Sequence, residues 1–208
     1  MNQVERRKKQ MAYIADQECV EEMNACKRIL HELNTVDRTD GDAICEIVKR
    51  LFGKSEGAFV NPPFYCDYGK NIEVGKNFFA NYNCMLIDVA KIKIGDNCLL
   101  APNVAIYTAG HPVHPAARNT AYEYGIEVTI GDNVWIGGNT VVVPGVHIGS
   151  NVVIGAGSVV TKDIPDWCVA AGNPCRVIRK ITEEDKQYYF RDRKFDDEAW
   201  EVVKNKKL

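Results

Sequence analysis

The 208 residues are 46% hydrophobic and carry a formal net charge of -2, which allows one domain with an appendage and offers no basic surface for nucleic acid or an anionic membrane. No apolar run is long enough to span a bilayer, and the polar first ten residues lack the apolar centre of a signal peptide. The eight cysteines are scattered singly, without a Cys-x-x-Cys pair. We therefore expect a reduced, cytoplasmic protein.

The first sixty residues have the pattern of helices. Apolar side chains recur at helical spacing from about Val4 to Leu33, and again from Gly41 to Phe52 after a break at residues 34–37. This pattern predicts a helical hairpin at residues 1–58 that caps the open end of the following segment. Whether the cap also lines a substrate site stays open at this point.

A period of six residues dominates the second half of the chain. One aliphatic series recurs at every sixth position, a second small or β-branched series lies four residues behind it, and turn-forming residues separate the pairs. This period fits neither a helix nor a long strand, and it predicts a solenoid whose short strands form three flat faces. The two series expected to point inward are Ile130, Ile136, Val142, Ile148, Ile154 and Val160, and Val134, Thr140, Val146, Val152, Ser158 and Ile164.

The period is interrupted twice. Two extra residues near residues 88–90 predict a bulge, a feature that often marks a site. Between residues 107 and 128 the pattern stops, which predicts a loop protruding from the scaffold. A glycine and a proline flank His111 in this loop, and His111 is the main candidate for chemistry. We assign the solenoid to residues 59–180 and a C-terminal strap, packing on the solenoid, to residues 181–208.

These features resemble the hexapeptide-repeat acyltransferases, and the helical start resembles the cap of their maltose and galactoside O-acetyltransferase subgroup. The resemblance is carried by the Gly-His-Pro-Val-His sequence at residues 110–114, the turn that follows Trp135, and the run at residues 170–179. It implies an all-β, left-handed parallel β-helix and a homotrimer with sites between subunits. It also implies acetyl transfer from acetyl-CoA to a sugar hydroxyl, expected at the 6-position of a hexose or glucoside, without a metal.

The resemblance also implies roles for single residues. His111 takes the position of the general base, which removes the proton of the acceptor hydroxyl during direct attack on the thioester in a ternary complex. The Gly138 N–H takes the position of the oxyanion donor. The positions expected to bind the acceptor are Asp16, Asp67, Asn81 and Asp88. The positions expected to bind coenzyme A are Trp135, which strand parity turns outward, Gly138, Ala156, Thr161, Lys162, Arg176 and Arg179, whose cationic members face the phosphates.

Three acceptor positions depart from the galactoside branch. Asp67 stands where that branch has serine, Glu123 where it has methionine, and Val89 replaces the second of two adjacent aspartates, so the identity of the sugar stays open. Three alternative functions also stay open: a streptogramin-type acetyltransferase, a metal enzyme like the γ-class carbonic anhydrases that would use His111 and His147, and a non-catalytic solenoid.

Overall fold

Short strands, most of them two or three residues long, fill residues 54–180 of the computed structural model, which describes residues 1–206. Successive strands along the chain belong in turn to three sheets. Neighbouring strands within these sheets are parallel, except for the last pair of the second sheet. The predicted solenoid with three flat faces is confirmed. The predicted boundary at residue 59 needs correction, because the first strand of the solenoid already begins at Lys54 and pairs with the next coil.

The first sheet contains β1 (Lys54–Glu56), β4 (Ile72–Lys76), β7 (Ile92–Ile94), β12 (Val128–Ile130) and β15 (His147–Ile148). The second contains β2 (Phe59–Val60), β5 (Phe79–Ala80), β8 (Leu99–Leu100), β13 (Trp135–Ile136), β16 (Val153–Ile154), β18 (Cys168–Ala171) and the antiparallel β19 (Arg176–Lys180). The third contains β3 (Phe64–Cys66), β6 (Cys84–Ile87), β9 (Ala105–Tyr107), β14 (Val141–Val142) and β17 (Val159–Val160).

The interior of the solenoid is formed by the side chains that the period of six predicts. Every member of the two inward series is at most 4% exposed. Two members are polar, and each hydroxyl donates to the carbonyl oxygen three residues earlier: Thr140 to Gly137 at 2.7 Å and Ser158 to Gly155 at 2.5 Å. Because carbonyl oxygens in the turns accept these hydrogen bonds, a hydroxyl group can lie in the core without an unsatisfied donor.

One corner of the solenoid carries a ladder of asparagine side chains. Asn77, Asn97, Asn133 and Asn151 have φ angles between 55° and 58°, a left-handed conformation that asparagine tolerates better than most residues. Each Nδ2 donates to the Oδ1 of the next asparagine, at 2.8, 3.1 and 2.9 Å. The repeated asparagine therefore serves both the turn and the stacking of coils.

The three faces present different side chains to the outside. The first sheet points polar groups outward, and ion pairs join Lys91 to Glu73 and Lys93 to Glu127. The other two sheets point apolar groups outward. On the second sheet these are Phe59, Phe79, Leu99, Trp135 and Val153, and on the third they are Tyr65, Met85, Ala105, Val141 and Val159.

Three helices form the N-terminal cap: α1 (Gln3–Lys8), α2 (Gln17–Thr35) and α3 (Gly41–Leu51). The predicted second helix is confirmed by α3, whose buried stripe packs on the first coil. The helical run predicted from Val4 to Leu33 is wrong between residues 9 and 16, which are not helical. The reason is local, because the Asp16 carboxylate accepts the Cys19 N–H at 3.0 Å and so fixes Asp16 as the residue that caps α2.

The predicted protruding loop contains an antiparallel hairpin, β10 (Ala109–Gly110) with β11 (Tyr124–Gly125), and a short helix α4 (Pro115–Arg118). The C-terminal strap contains a 3-10 helix (Glu183–Gln187), the hairpin β20 (Tyr188–Phe190) with β21 (Arg193–Lys194), and α5 (Asp197–Lys204). No residue from 181 to 206 is buried, so the strap covers the solenoid less than expected; residues 207 and 208 lie outside the described part. Within residues 1–206 no helix is long and apolar enough to cross a membrane.

Candidate active site

The histidine loop is held by close packing at its base. Gly110 lies opposite Tyr124 in the hairpin, and a β-carbon at Gly110 would lie 2.5 Å from the Tyr124 ring. Inside the loop, Arg118 donates to the carbonyl oxygens of Pro112 and Val113 at 3.1 and 2.8 Å. His111 follows Gly110 directly and is exposed. A rigid hairpin therefore presents its imidazole to solvent.

Asp88 is predicted to bind the acceptor, but its side chain points into the protein. Its side chain is fully buried, Oδ1 accepts the N–H groups of Asp67 and Tyr68 at 3.0 and 2.9 Å, and Oδ2 accepts the Asn71 N–H at 3.2 Å. Burial raises the pKa of Asp88 to about 7 against the opposing effect of these hydrogen bonds. The expectation that Asp88 binds acceptor hydroxyls is corrected: its carboxylate shapes the turn that presents Asp67.

Two carboxylates from different elements lie close together beside the cap. Asp67 follows β3 and is half-buried; its pKa is raised first by burial and then by the charge of Glu123, while Lys27 acts in the opposite direction. Glu123 belongs to the loop and pairs through its backbone with Tyr13. The sequence marks Glu123 only as a departure from one branch and gives no sign of Tyr13, because a contact between distant segments leaves no local pattern.

Asp16 and Asn81 are both half-buried, and each already uses one oxygen. The Asp16 carboxylate caps α2, and Asn81 Oδ1 accepts the Tyr82 N–H at 2.8 Å. Asn81 lies at the corner after β5, and no hydrogen bond within residues 1–206 joins it to His111 or Asp67. The charge of Glu123 acts on Asp67, whereas Asn81 shares no hydrogen bond with Asp67 or His111 within residues 1–206.

At the corner of the solenoid that carries Asn81, the turns that contain Gly138 and Ala156 stack one coil apart, further along the chain. The Gly138 carbonyl accepts the Gly157 N–H at 2.8 Å, so the Gly138 turn lies directly against the turn that contains Ala156. Within residues 1–206 the N–H groups of Gly138 and Ala156 donate no hydrogen bond. Gly138, the predicted oxyanion donor, and Ala156, a predicted coenzyme A position, therefore lie on one edge, and the N–H group of each has no acceptor within residues 1–206.

The second sheet connects these turns to the predicted phosphate-binding residues. Trp135 is 52% exposed, which agrees with the outward orientation expected from parity. It pairs with Val153, which pairs with Val169, which pairs with Arg179. Three strand spacings amount to about 14 Å. An extended ligand that lies along this sheet can contact Trp135 at one end and the Arg179 region at the other.

Two family models match the chain. Residues 127–162 match the bacterial transferase hexapeptide family (six repeats), and residues 8–57 match the maltose acetyltransferase hexapeptide capping motif. Galactoside O-acetyltransferase from Escherichia coli is 49% identical over 169 residues, which cover 81% of this chain and 83% of that protein. The chain belongs to the maltose and galactoside O-acetyltransferase subgroup of the hexapeptide-repeat acyltransferases.

Solved structures of this acetyltransferase subgroup have the same fold. A maltose O-acetyltransferase from Clostridium difficile superposes with a TM-score of 0.87 at 51% identity, covering 88% of this chain and 99% of that one. A galactoside acetyltransferase in complex with coenzyme A gives a TM-score of 0.90 at 44% identity, covering 94% and 99%. The likeness therefore extends over the cap as well as the solenoid.

The residues predicted to bind the phosphates in this family member differ in how far their side chains are already engaged by other protein groups. Thr161, Lys162 and Arg176 are exposed, and Arg176 Nη1 donates to the neighbouring Cys175 carbonyl at 2.8 Å. Arg179 is engaged more strongly, because its two Nη atoms contact the two Asp185 carboxylate oxygens at 2.8 Å each. This pair raises the pKa of Arg179. A phosphate that binds Arg179 has to compete with Asp185.

The alternative of a metal enzyme has no group of candidate metal ligands within the described residues. Among residues 1–206 no three His, Cys, Asp or Glu side chains lie together in a way that could hold an ion. His147 does point outward from the solenoid, as expected, and its Nδ1 lies 2.6 Å from Thr129 Oγ1.

Proposed function

We propose that the protein transfers the acetyl group of acetyl-CoA to a sugar hydroxyl, at the 6-position of a hexose or glucoside. The observation that carries the proposal is His111, exposed on a rigid hairpin, on a chain that also has two unpaired backbone donors on one edge of the solenoid. The names of the relatives support the same chemistry, because they are maltose and galactoside O-acetyltransferases and one structure is a complex with coenzyme A.

In the proposed mechanism His111 is the general base. A neutral imidazole takes the proton of the acceptor hydroxyl while the oxygen attacks the thioester carbonyl in a ternary complex. The negative charge that develops on the carbonyl oxygen is stabilised by the Gly138 N–H, which has no acceptor within residues 1–206. The imidazolium returns the proton to the departing coenzyme A thiolate. This route has no acyl-enzyme intermediate and needs no metal.

The outward surfaces support a homotrimer with its sites between subunits. Two of the three faces are apolar, and Leu99, Trp135 and Tyr65 on these faces are 48%, 52% and 44% exposed. Contiguous apolar surface of this kind marks an interface. In a ring of three prisms each chain meets two neighbours, so both apolar faces are covered and the polar first face stays in water. His111 of one subunit would then reach acceptor residues such as Asn81 of the next.

The acceptor half of the site favours a polyhydroxylated ligand. Asp67 and Glu123 present carboxylate oxygens, which accept hydrogen bonds from sugar hydroxyls and disfavour an apolar group at the same place. We propose that Asp67, Glu123, Asp16 and Asn81 contact the sugar, and that glucose or maltose is a better acceptor than a galactoside with an apolar aglycone. The same reasoning disfavours a streptogramin, which is large and mostly apolar.

We also place the protein in the reducing cytoplasm. All eight cysteines are free thiols, although Cys26 Sγ and Cys66 Sγ lie only 3.5 Å apart. Cysteines that are scattered singly, without a disulfide framework, are typical of a protein in a reducing compartment.

Thiol release from acetyl-CoA tests the proposal, with glucose, maltose, an aryl galactoside and a streptogramin as acceptors and a blank without acceptor for the protein's own cysteines. We expect turnover on glucose or maltose that is lost in His111→Ala and kept in His147→Ala, which removes an exposed histidine from the polar face. Loss of a general base slows turnover by about 10²- to 10⁴-fold. Full activity of His111→Ala, or no turnover on any sugar despite coenzyme A binding in calorimetry, would contradict it.

A further inference from the structure

The corner of the solenoid that carries the asparagine ladder ends in a tryptophan. Trp167 lies one coil beyond Asn151, and its N–H donates to the Ser150 carbonyl oxygen at 3.0 Å, as the Asn151 N–H donates to the Asp132 carbonyl oxygen at 2.8 Å. Its φ of 58° is the left-handed conformation of the ladder asparagines, which is unfavourable for a bulky side chain. Tryptophan therefore occupies a position that suits asparagine better, and backbone strain of this kind is concentrated at ligand-binding and catalytic sites.

A cavity of about 720 Å³ lies beside Trp167, whose side chain is 41% exposed and forms one wall. The other walls come from the 3-10 helix of the strap and from the C-terminal end of α5, and the volume falls within the range of small-molecule sites. Trp167 lies at the corner between the first and second sheets, whereas Gly138 and Ala156 lie between the second and third. None of the residues proposed to bind the acceptor or coenzyme A lines this cavity, so it is distinct from the candidate active site.

The charged groups in the walls of this cavity balance each other. Glu183 and Asp185 are opposed by Lys186 and Lys206. Asp185 is already paired, and Lys186 Nζ donates to the carbonyl oxygens of Lys204 and Lys206 at 3.3 and 3.4 Å. The Glu183 carboxylate is exposed and forms no ion pair or hydrogen bond within residues 1–206. The apolar part of the wall is formed by Trp167, Ile181 and Val203. The cavity thus combines an apolar surface with a free hydrogen-bond acceptor and no net charge.

We propose that this cavity binds a neutral sugar ring, stacked on the Trp167 indole. The C–H groups on one face of a pyranose form a flat apolar surface that covers the indole, and hydroxyls at the edge of the ring donate to the Glu183 carboxylate. An anionic ligand would be repelled by Glu183 and a cationic one by Lys186. A wholly apolar ring would remove water from Glu183 without replacing its hydrogen bonds. Binding at this second saccharide site requires none of the residues proposed for acetyl transfer.

NMR of the nitrogen-15-labelled full-length protein tests this site, because the indole N–H resonance of Trp167 reports on the cavity directly. The chain has three tryptophans, and the resonance of Trp167 is the one that disappears in Trp167→Asn. We expect maltotriose to shift this resonance saturably. Glycerol, which has hydroxyls but no ring, and benzyl alcohol, which has a flat ring but one hydroxyl, should bind at least about tenfold more weakly. Glu183→Ala should weaken maltotriose binding by roughly tenfold. Glu184→Ala, at an exposed position outside the cavity, is the matched control and should bind as the wild type does.

Trp167→Asn provides a second test, because it removes the indole and keeps a side chain that suits the backbone. Asparagine tolerates a φ near 58° and can accept from Asn151 Nδ2, so urea unfolding should show a stability equal to or above that of the wild type. Maltotriose should shift the amide resonance of Ile181, in the cavity wall, in the wild type and no longer in this variant. The inference is overturned if maltotriose does not shift the Trp167 resonance saturably, if Glu183→Ala binds it as tightly as the wild type, or if Trp167→Asn keeps the Ile181 shift. Competition between coenzyme A and maltotriose for the cavity would also overturn it, because the cavity would then belong to the donor site.

Discussion

Tyr13 and Glu123 form two backbone hydrogen bonds of 2.9 Å, one in each direction, and so join the segment between α1 and α2 to the long loop. A third contact reinforces the connection, because Gln10 Oε1 accepts the Glu127 N–H at 2.9 Å. The cap therefore does more than cover the end of the solenoid. It holds one wall of the proposed acceptor site against the loop that carries His111.

Removing the Glu123 charge should lower the pKa of Asp67. In Glu123→Gln the backbone pairing with Tyr13 is kept, while the second-largest cause of the raised Asp67 pKa disappears. Burial remains, so the pKa should fall but stay above the ordinary aspartate range. A carbon-13 NMR titration of the Asp67 carboxyl measures this change. Glu183→Gln, in the strap, is the control, and an unchanged Asp67 pKa in Glu123→Gln would contradict the proximity of the two carboxylates.

Gly110→Ala should impair catalysis without impairing coenzyme A binding. The new methyl group would lie 2.5 Å from the tip of the Tyr124 ring, so either that side chain or the β10–β11 hairpin has to move, and we expect the hairpin to move and His111 with it. A displacement of about 1 Å in a catalytic group costs roughly 10²-fold in turnover. Turnover should therefore fall, while the coenzyme A affinity measured by calorimetry should stay at the wild-type value. Gly110→Ala combined with Tyr124→Leu should recover part of the activity, and the absence of any recovery would argue against the collision as the cause.

Asp88 should make the stability of the protein depend on pH. Its folded pKa of about 7 lies above the ordinary value of about 3.9, so the native state holds a proton that the unfolded state releases. The free energy of unfolding therefore falls as the pH rises from about 4 to about 7, by at most about 4 kcal/mol.

Asp88→Asn removes the titrating group and keeps an oxygen that can accept the Asp67 and Tyr68 N–H groups. Urea unfolding at several pH values should show a smaller slope for this variant than for the wild type. Asp192→Asn, at an exposed position, should keep the wild-type slope. Parallel pH profiles for Asp88→Asn and the wild type would show that Asp88 has an ordinary pKa.

The asparagine ladder should contribute to stability in two separable ways. Asn133→Ala loses both ladder hydrogen bonds and forces alanine into a φ of 56°, a conformation that costs about 1–2 kcal/mol. Asn133→Gly loses the same hydrogen bonds without that strain. Urea unfolding should rank the wild type above Asn133→Gly and Asn133→Gly above Asn133→Ala. Equal stabilities of the two variants would mean that the turn conformation contributes nothing.

Leu99→Lys should dissociate the proposed trimer, because it places a charge on an apolar outward face. His147→Lys places the same charge on the polar face and should leave the assembly intact. Both positions point away from the core, so neither change should disturb the interior. Sedimentation velocity gives the mass of each variant. A wild-type protein that sediments as a monomer, or an intact trimer of Leu99→Lys, would contradict the proposed arrangement of faces.

The sequence predicts the solenoid well because spacing alone decides which side chains point inward. Positions as different as Ile136, Thr140 and Ser158 are all correctly placed in the core by their place in the repeat. The sequence predicts the cap less accurately. Helical spacing of apolar residues continues through residues 9–16, but these residues are not helical, and α2 begins only after its N-cap, Asp16. Asp16, which the resemblance assigns to the acceptor, is also the N-cap of α2, and an aspartate three residues before a helical N–H is a common N-cap.

The candidate site is only partly predictable for a different reason. The residues around His111 predict a turn, but the hairpin that presents His111 depends on the pairing of Gly110 with Tyr124, which is distant in sequence. Asp88 lies where the period of six is interrupted, so no periodicity tells whether its carboxylate faces inward. Arg7 occurs in a charged run that is typical of a solvated helix, and its burial depends on contacts with Tyr68 and Glu22. These are long-range contacts, which leave no signal in the local sequence.

The parallel stacking of strands in the second sheet sets the distance between Trp135 and β19. Each added coil would move β19 away from Trp135 by one strand spacing of about 4.8 Å, because paired strands repeat in register from coil to coil. In the proposed donor site, the reach from the thioester to the phosphates is therefore set by the number of coils between these two elements. A chain one coil longer or shorter would keep its acceptor residues unchanged but would present Trp135 and the Arg179 region at a different separation.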